Sequence, residues 1–293
     1  MAAPPALRLG VAYVPTTPPE QLRALAETAE RSGLDELWVW EDSFKQSGIA
    51  SATAALACTE RISVGIGLLP VPFRNVALTA MELATVERMF PGRLLAGVGH
   101  GVQTWMEQAG ARVASPLTLL REYATALRAL LRGERVSVTG RYVRLQEVVL
   151  DWPPAVPPPL MLGAAGPKAL ALAAELGDGT LLGNVLSESE VGEVGQLVAR
   201  SAGRRPHALV STLLVATGAD AAQRLEREVP RWGRAAEPGI GAAGDAATIA
   251  AALRRLGDLG VTSVSLQPTE DEPDLLGFVR FLGTEVKPLL AGG

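Results

Sequence analysis

With two histidines and one cysteine, the chain has few places where a proton or a nucleophile could be handled. The adjacent acids Glu41 and Asp42 follow the apolar run "DELWVW", and His100 follows "RLLAGVG". A carboxylate and an imidazole at neighbouring strand ends could move a proton to or from a bound molecule. Two small-residue stretches accompany them. Gly97, Gly99 and Gly101 read G-x-G-x-G. A dinucleotide fingerprint needs G-x-G-x-x-G after the first strand, so this stretch fails on spacing and on place. Its glycines would instead leave a flat floor on which a ring system can lie. The second stretch, Gly163-Ala164-Ala165-Gly166-Pro167, feeds a helix without a Ser, Thr or Asp cap. Free amides at a helix start favour an anion. Taken alone, these residues also fit helix capping, a water-filled turn and the taper of a barrel.

The elements that must position them alternate between strand and helix. Apolar runs without helical period lie at 7–14, 35–42, 62–70 and 93–99. Four more are "PLMLGAAG", "TLLGN", "HALVSTLLVATG" and "VTSVSLQP" (261–268). Each is followed by an amphipathic segment, and the runs are apolar on both faces, as in a parallel sheet covered by helices. Ser187 with Glu190, and Thr17 with Glu20, have capping-box spacing, and Gly33 is an expected C-cap. Eight such units fit a closed (β/α)8 TIM barrel, with a doubly wound open sheet as the alternative. In a barrel the C-terminal strand ends carry the site. Glu41, Asp42 and His100 would then share one rim, and His207, which opens its strand, would lie at the opposite face. Gly65 and Gly67 interrupt the third strand and point to a bulge there.

One segment breaks the cycle. Residues 134–158 carry two β-rich runs around Thr139-Gly140 and then a Pro-rich stretch, an inserted β-hairpin with a stiff connector. No linker divides the chain, so residues 1–293 are expected to form one domain. The net charge of −4 without a basic run argues against a nucleic-acid partner. Cys58 alone supports neither a disulfide framework nor a thiolate metal cluster, and no metal site is expected. No apolar run is long enough for a membrane span. The opening "MAAPPALR" lacks the apolar core of a signal peptide, so a cytoplasmic protein with a short frayed N-terminus is expected.

Together, "ELWVWEDSF", "VGIGLLPVPFRN", "PGRLLAGVGHGVQTWMEQAGAR", "LMLGAAGPKALALAAELGDGTLLGN" and "LGDLGVTSVSLQP" resemble the bacterial-luciferase-like monooxygenase superfamily, and within it the branch that uses the deazaflavin coenzyme F420. The resemblance covers nearly the whole chain and favours the barrel. It implies a ring resting on a bulge at the end of strand three, at Gly67, Leu68 and Leu69, with a non-prolyl cis bond at Gly67–Leu68. It implies that Gly99, Gly101 and Val102 line the ring pocket, that Gly163, Ala164, Ala165, Gly166 and Pro167 form the phosphate site, and that Gly183 also binds the cofactor. Asp42 and His100 are the implied acid/base pair, and a homodimer is the implied assembly. Trp105, Met106 and the inserted hairpin would build the pocket above the ring. The implied activity is hydride transfer between F420 and a small-molecule substrate. An FMN-dependent monooxygenase and a non-catalytic flavin-binding barrel are the alternatives. In sugar-phosphate-oxidising members a histidine follows the strand-two aspartate. Here Ser43 stands there, which puts that alcohol-dehydrogenase chemistry in doubt.

Overall fold

The computed structural model describes residues 7–290; the frayed N-terminus expected at residues 1–6 lies outside them. Eight parallel strands form a closed barrel. They are β1 (Arg8–Tyr13), β2 (Glu36–Val39), β3 (Ser63–Pro70), β4 (Leu94–Gly99), β7 (Leu160–Ala164), β8 (Gly179–Leu182), β9 (Ala208–Ala216) and β11 (Ser263–Pro268). Pairing runs from β1 through β2, β3, β4, β7, β8 and β9 to β11, and β11 pairs with β1 to close the ring. The open sheet is thereby excluded. β5 (Val136–Thr139) and β6 (Arg144–Val148) form the antiparallel hairpin expected from the sequence. A three-residue strand, β10 (Gly241–Ala243), pairs in parallel with the C-terminal end of β9, outside the closed ring. It is too short to leave a pattern, and the sequence reads there as a loop.

The covering helices include α1 (Leu22–Arg31), α2 (Gly48–Ala57), α3 (Val76–Met89), α5 (Pro116–Leu131), α6 (Pro167–Leu176), α7 (Glu188–Ala202), α8 (Ala221–Glu228) and α9 (Ala246–Asp258). A short α4 (Gln103–Gln108) follows β4. Ser187 and Glu190 make the expected capping box on α7. Thr17 does not cap α1. Consecutive prolines Pro18 and Pro19 lead into a 3-10 turn, and the Tyr13 hydroxyl donates to the Pro18 carbonyl instead.

Alternation along each strand separates two cores. Leu37 and Val39 of β2 pack outward under the helices. Trp38 packs inside the barrel with Met161, Leu181 and Val210. The Trp38 indole donates to Glu36 at 2.8 Å, and Glu36 also takes Arg8 Nε and Ser263 Oγ, each at 2.5 Å. This carboxylate is 2% exposed, and its three donors satisfy a charge that would otherwise be costly in the barrel floor. His207 lies at the same N-terminal end, its Nε2 2.9 Å from Thr180 Oγ1. Burial lowers its pKa below the ordinary 6.5, with Arg205 adding to the effect.

Glycine occurs where these interior side chains need room. A Cβ on Gly10 would lie 2.9 Å from the Trp38 ring, and one on Gly65 would overlap it. The β3–β4 register slips between Ile66 and Leu69, a bulge on β3, and the Gly67–Leu68 bond is cis. The bulge brings the Ile66 carbonyl oxygen to where a Gly97 side chain would begin. Leu68 fills the spaces that side chains on Gly99 and Gly163 would take. The β4 glycines therefore accommodate the neighbouring bulge.

Two substitutions separate rigid from yielding neighbours. Gly97→Ala meets a backbone carbonyl and is expected to destabilise the protein by at least ~3 kcal/mol, the upper part of the overpacking range. Gly163→Ala meets the flexible end of Leu68 and is expected to cost about 1 kcal/mol. Urea unfolding of both variants checks the order; equal midpoints would contradict it.

Candidate active site

A cavity of about 410 Å³ opens at the C-terminal end of the barrel. Its floor is the face of Trp38 with Leu181 and Val210. Its two sides differ. On the β3, β4, β7 and β8 side it is bounded by Gly67, Leu68, Gly101, Gly163, Ala164, Ala165 and Gly183, so backbone is close to the cavity. On the β2, β9 and β11 side it is bounded by Trp40, Trp232, Thr212 and Ser265. Asp42, His100, Val102 and Trp105 stand at the rim.

Glu41 and Asp42 are neighbours with opposite electrostatic situations. Glu41 is held by both terminal nitrogens of Arg74, and its Oε2 accepts the Gly48 amide at 2.7 Å. Arg74 follows the β3 bulge, so this pair ties the exit of β3 to the exit of β2. Asp42 receives no side-chain hydrogen bond among the described residues, and its nearest cation, Lys45 Nζ, is 3.9 Å away. Burial pushes the Asp42 carboxyl above the usual 3.8, and Lys45 partly opposes this. It is the acid that holds a proton more readily than an ordinary aspartate. The next bond, Ser43–Phe44, is also cis, and the buried Ser43 hydroxyl has no hydrogen-bond partner among the described residues.

His100 sits across the rim. Its Nδ1 is 3.2 Å from the Gly101 carbonyl, a contact that suits an Nδ1–H tautomer and leaves Nε2 as an acceptor. Gln103 donates to the His100 and Gly101 carbonyls and fixes the turn, where Gly101 takes a φ of +67°. The α6 amides lack a side-chain cap, with Gly166 at the N-cap and Pro167 at the first turn.

Not every expected residue reaches the cavity. Leu69 is 1% exposed in the outer core, because the bulge turns it toward the helices. Gly99 lies beneath Leu68. Gly166 and Pro167 are exposed at the start of α6, beside the cavity. Met106 is fully buried against Gly101 and does not line this cavity. The hairpin contributes Tyr142 and Val143 to a separate groove with Arg74 and Tyr123. Sequence reasoning missed Trp40, Trp232, Thr212 and Ser265. Thr212 and Ser265 did carry a signal: they are polar at inward parity on buried strands. Trp232 follows α8 and has no local signal.

The model of the luciferase-like monooxygenase family matches residues 6–259, and the chain belongs to that family. It is 30% identical to a 5,10-methylenetetrahydromethanopterin reductase of Methanolobus tindarius over 68% of this chain, which spans 62% of that relative. Its fold is similar to that of a coenzyme F420-dependent tetrahydromethanopterin reductase from Methanopyrus kandleri, with a TM-score of 0.83 at 21% identity, covering 97% of this chain and 99% of that one. It is also similar to an F420-dependent secondary alcohol dehydrogenase solved with an F420–acetone adduct, with a TM-score of 0.82 at 20% identity, covering 97% and 99%.

The Asp42 environment has a measurable sign. A folded pKa above the unfolded value means that the folded chain binds the extra proton. The ionisation penalty is absent below about 3.8 and is complete above the raised value. Asp42→Asn is therefore expected to be more stable than the parent at pH 7 and no more stable at pH 3. Denaturant melts at both pH values check this, and a variant less stable at pH 7 would contradict it.

Proposed function

We propose that this protein is an F420-dependent oxidoreductase that transfers hydride between the deazaflavin and a small organic substrate. The observation that carries the reading is the two-sided cavity: a bulged, glycine-rich wall faces an indole-lined one across the barrel mouth. The glycine-rich wall fits a flat tricyclic ring, since Gly67 and Gly183, with Ala164 and Ala165, keep side-chain bulk off it. The uncapped α6 start fits the cofactor's phosphate. When bound, the deazaflavin supplies or accepts hydride. The protein's part is to place the ring, exclude water over Trp38 and manage a proton at Asp42, with His100 as the second group at the rim. Relatives whose names include F420 support the cofactor assignment.

The test is the affinity of the purified protein for F420 and for FMN, measured by fluorescence quenching. F420 is expected to bind at least tenfold more tightly. Gly166→Asp sharpens the test because it gives α6 an N-cap carboxylate. Its stability should hold or rise by a few tenths of a kcal/mol, while F420 affinity falls by at least tenfold. Tighter FMN binding with substrate-linked oxygen consumption would establish the monooxygenase reading instead, because deazaflavin lacks the nitrogen through which flavin activates oxygen. Binding of either without any substrate turnover would leave the non-catalytic flavin-binding barrel, and failure to bind either would refute all three readings.

A homodimer and a cytoplasmic location belong to the same proposal. Leu78, Met81 and Met89 are exposed along one face of α3, and Arg88 beside them lies over the exposed Trp152 ring at 5.0 Å. Apolar side chains in series on a solvent-facing helix support an interface there. The single thiol, Cys58, is unpaired, as suits a reducing compartment. Sedimentation should give a dimer for the parent and a monomer for Met81→Asp; a monomeric parent would refute this part.

A further inference from the structure

Resting on the reading that the ring occupies the glycine-rich wall, we propose that the opposite half of the cavity is a substrate compartment for an uncharged, planar, largely apolar molecule bearing one carbonyl or hydroxyl oxygen. Phosphorylated and carboxylated substrates are excluded from it. Three observations carry this.

The first is charge. Of the described residues that line the cavity, none is Lys or Arg, two are the carboxylates Glu41 and Asp42, and the one imidazole, His100, stands at the rim with its Nδ1 turned to the Gly101 carbonyl. Arg74 is already engaged by Glu41 and Glu82, and Lys45 reaches Asp42 without lining the cavity. An anionic substrate would leave water without a counter-ion and meet Asp42. Desolvating an unpaired anion beside a like charge opposes binding. A neutral molecule meets neither cost.

The second is shape. Trp40 and Trp232 meet edge to face, with ring centroids 5.9 Å apart and planes at 84°. Trp232 is pinned by its N–H to Glu228 Oε1 at 3.0 Å and by packing against Val229, Leu214 and Ile240. Two indoles locked in this way offer rigid aromatic surface, which favours flat apolar ligands at little ordering cost. Trp40 follows the end of β2 by one residue and keeps the inward parity of Trp38, lining the cavity.

The third is an unpartnered polar group. Ser265 is 3% exposed, lines the cavity, and its hydroxyl has no hydrogen-bond partner among the described residues. Thr212 lines the cavity on the neighbouring strand β9. A buried hydroxyl without a partner is unfavourable, and a ligand oxygen reached by rotation about its Cα–Cβ bond would satisfy it. One such oxygen on the substrate matches one such site.

The test uses 1-tetralone as the neutral planar ketone, 1-naphthoate as its anionic counterpart, and glucose 6-phosphate. Each is titrated calorimetrically into the protein alone and into protein saturated with F420. 1-Tetralone is expected to bind at least tenfold more tightly than 1-naphthoate, with no detectable binding of glucose 6-phosphate. Trp232→Ala should weaken 1-tetralone at least tenfold while F420 affinity stays within twofold. Ser265→Ala should weaken 1-tetralone about fivefold without lowering the melting temperature, which keeps the test open if Trp232→Ala does not fold. Equal or tighter binding of either anion, or unchanged 1-tetralone affinity in Ser265→Ala and in folded Trp232→Ala, would overturn the proposal. Absence of F420 binding would instead overturn the cofactor reading, and the titrations of the protein alone would still decide the compartment.

Discussion

One indole sets the geometry of this barrel. The interior of an eight-stranded barrel is normally filled by layers of side chains from every strand. Here Trp38 takes much of one layer by itself. Its ring overlies Gly65 and Gly10, and its N–H is fixed by a buried carboxylate that also holds Arg8 of β1 and Ser263 of β11. The indole is therefore anchored to three adjacent strands at the floor, and its face becomes the bottom of the cavity. Above it, β3, β4 and β7 turn glycine inward at Gly67, Gly97, Gly99 and Gly163. β2, β9 and β11 turn Trp40, Thr212 and Ser265 inward. The cavity follows from this asymmetry.

The glycine row carries a second consequence. A bulge on β3 needs space on β4, because its extra residue pushes a carbonyl sideways. Gly97 provides that space, and Leu68 of the bulge then covers Gly99 and Gly163. The motif that resembles a phosphate loop is thus a packing solution one strand removed from the feature it serves. Arg74, just past the bulge, is held by Glu41 at the end of β2. That ion pair fixes the two strand exits and satisfies one of two adjacent acids. The other, Asp42, stays without a strong partner at the rim. Position in the chain separates these carboxylates by one residue, and their partners give them different chemistry.

The β/α repeat, the inserted hairpin, the uncapped α6 and the bulge on β3 were legible because each leaves a local trace: period, turn residues, a missing cap, glycine in an apolar run. The Thr17 box failed because Pro18 and Pro19 impose their own turn, a local rule that outranked another. β10 was too short for any pattern. The site was legible on its glycine side and largely silent on its indole side. Glycines cluster along the chain, whereas Trp232 reaches the cavity from beyond α8. Composition did hold a clue. Aromatics are scarce, yet four of the five tryptophans, Trp38, Trp40, Trp105 and Trp232, line the cavity. In a core built of Ala, Leu and Val, large flat side chains mark the place where the interior is not closed by close packing.

The two walls also divide the electrostatic tasks. A phosphate-bearing cofactor brings its own negative charge and needs donors, and the α6 start supplies amides without a competing side chain. Those amides lie beside the cavity and are exposed, so the charge they meet can stay partly hydrated. On the opposite side Thr212 and Ser265 lie within the barrel strands, nearer Trp38, and that side offers hydroxyls but no Lys or Arg among the described residues. A charge there would be dehydrated and unpaired. On the proposed reading the same barrel mouth therefore accepts an anionic group at its edge and refuses one in its depth. Ser43, where sugar-phosphate-oxidising relatives are expected to carry histidine, fits this division: its hydroxyl is buried and unpartnered and does not line the cavity. On the proposed reading, Ser43 beside Asp42 and the absence of Lys and Arg from the described cavity lining suit proton exchange with a neutral oxygen, with His100 as the rim's one imidazole.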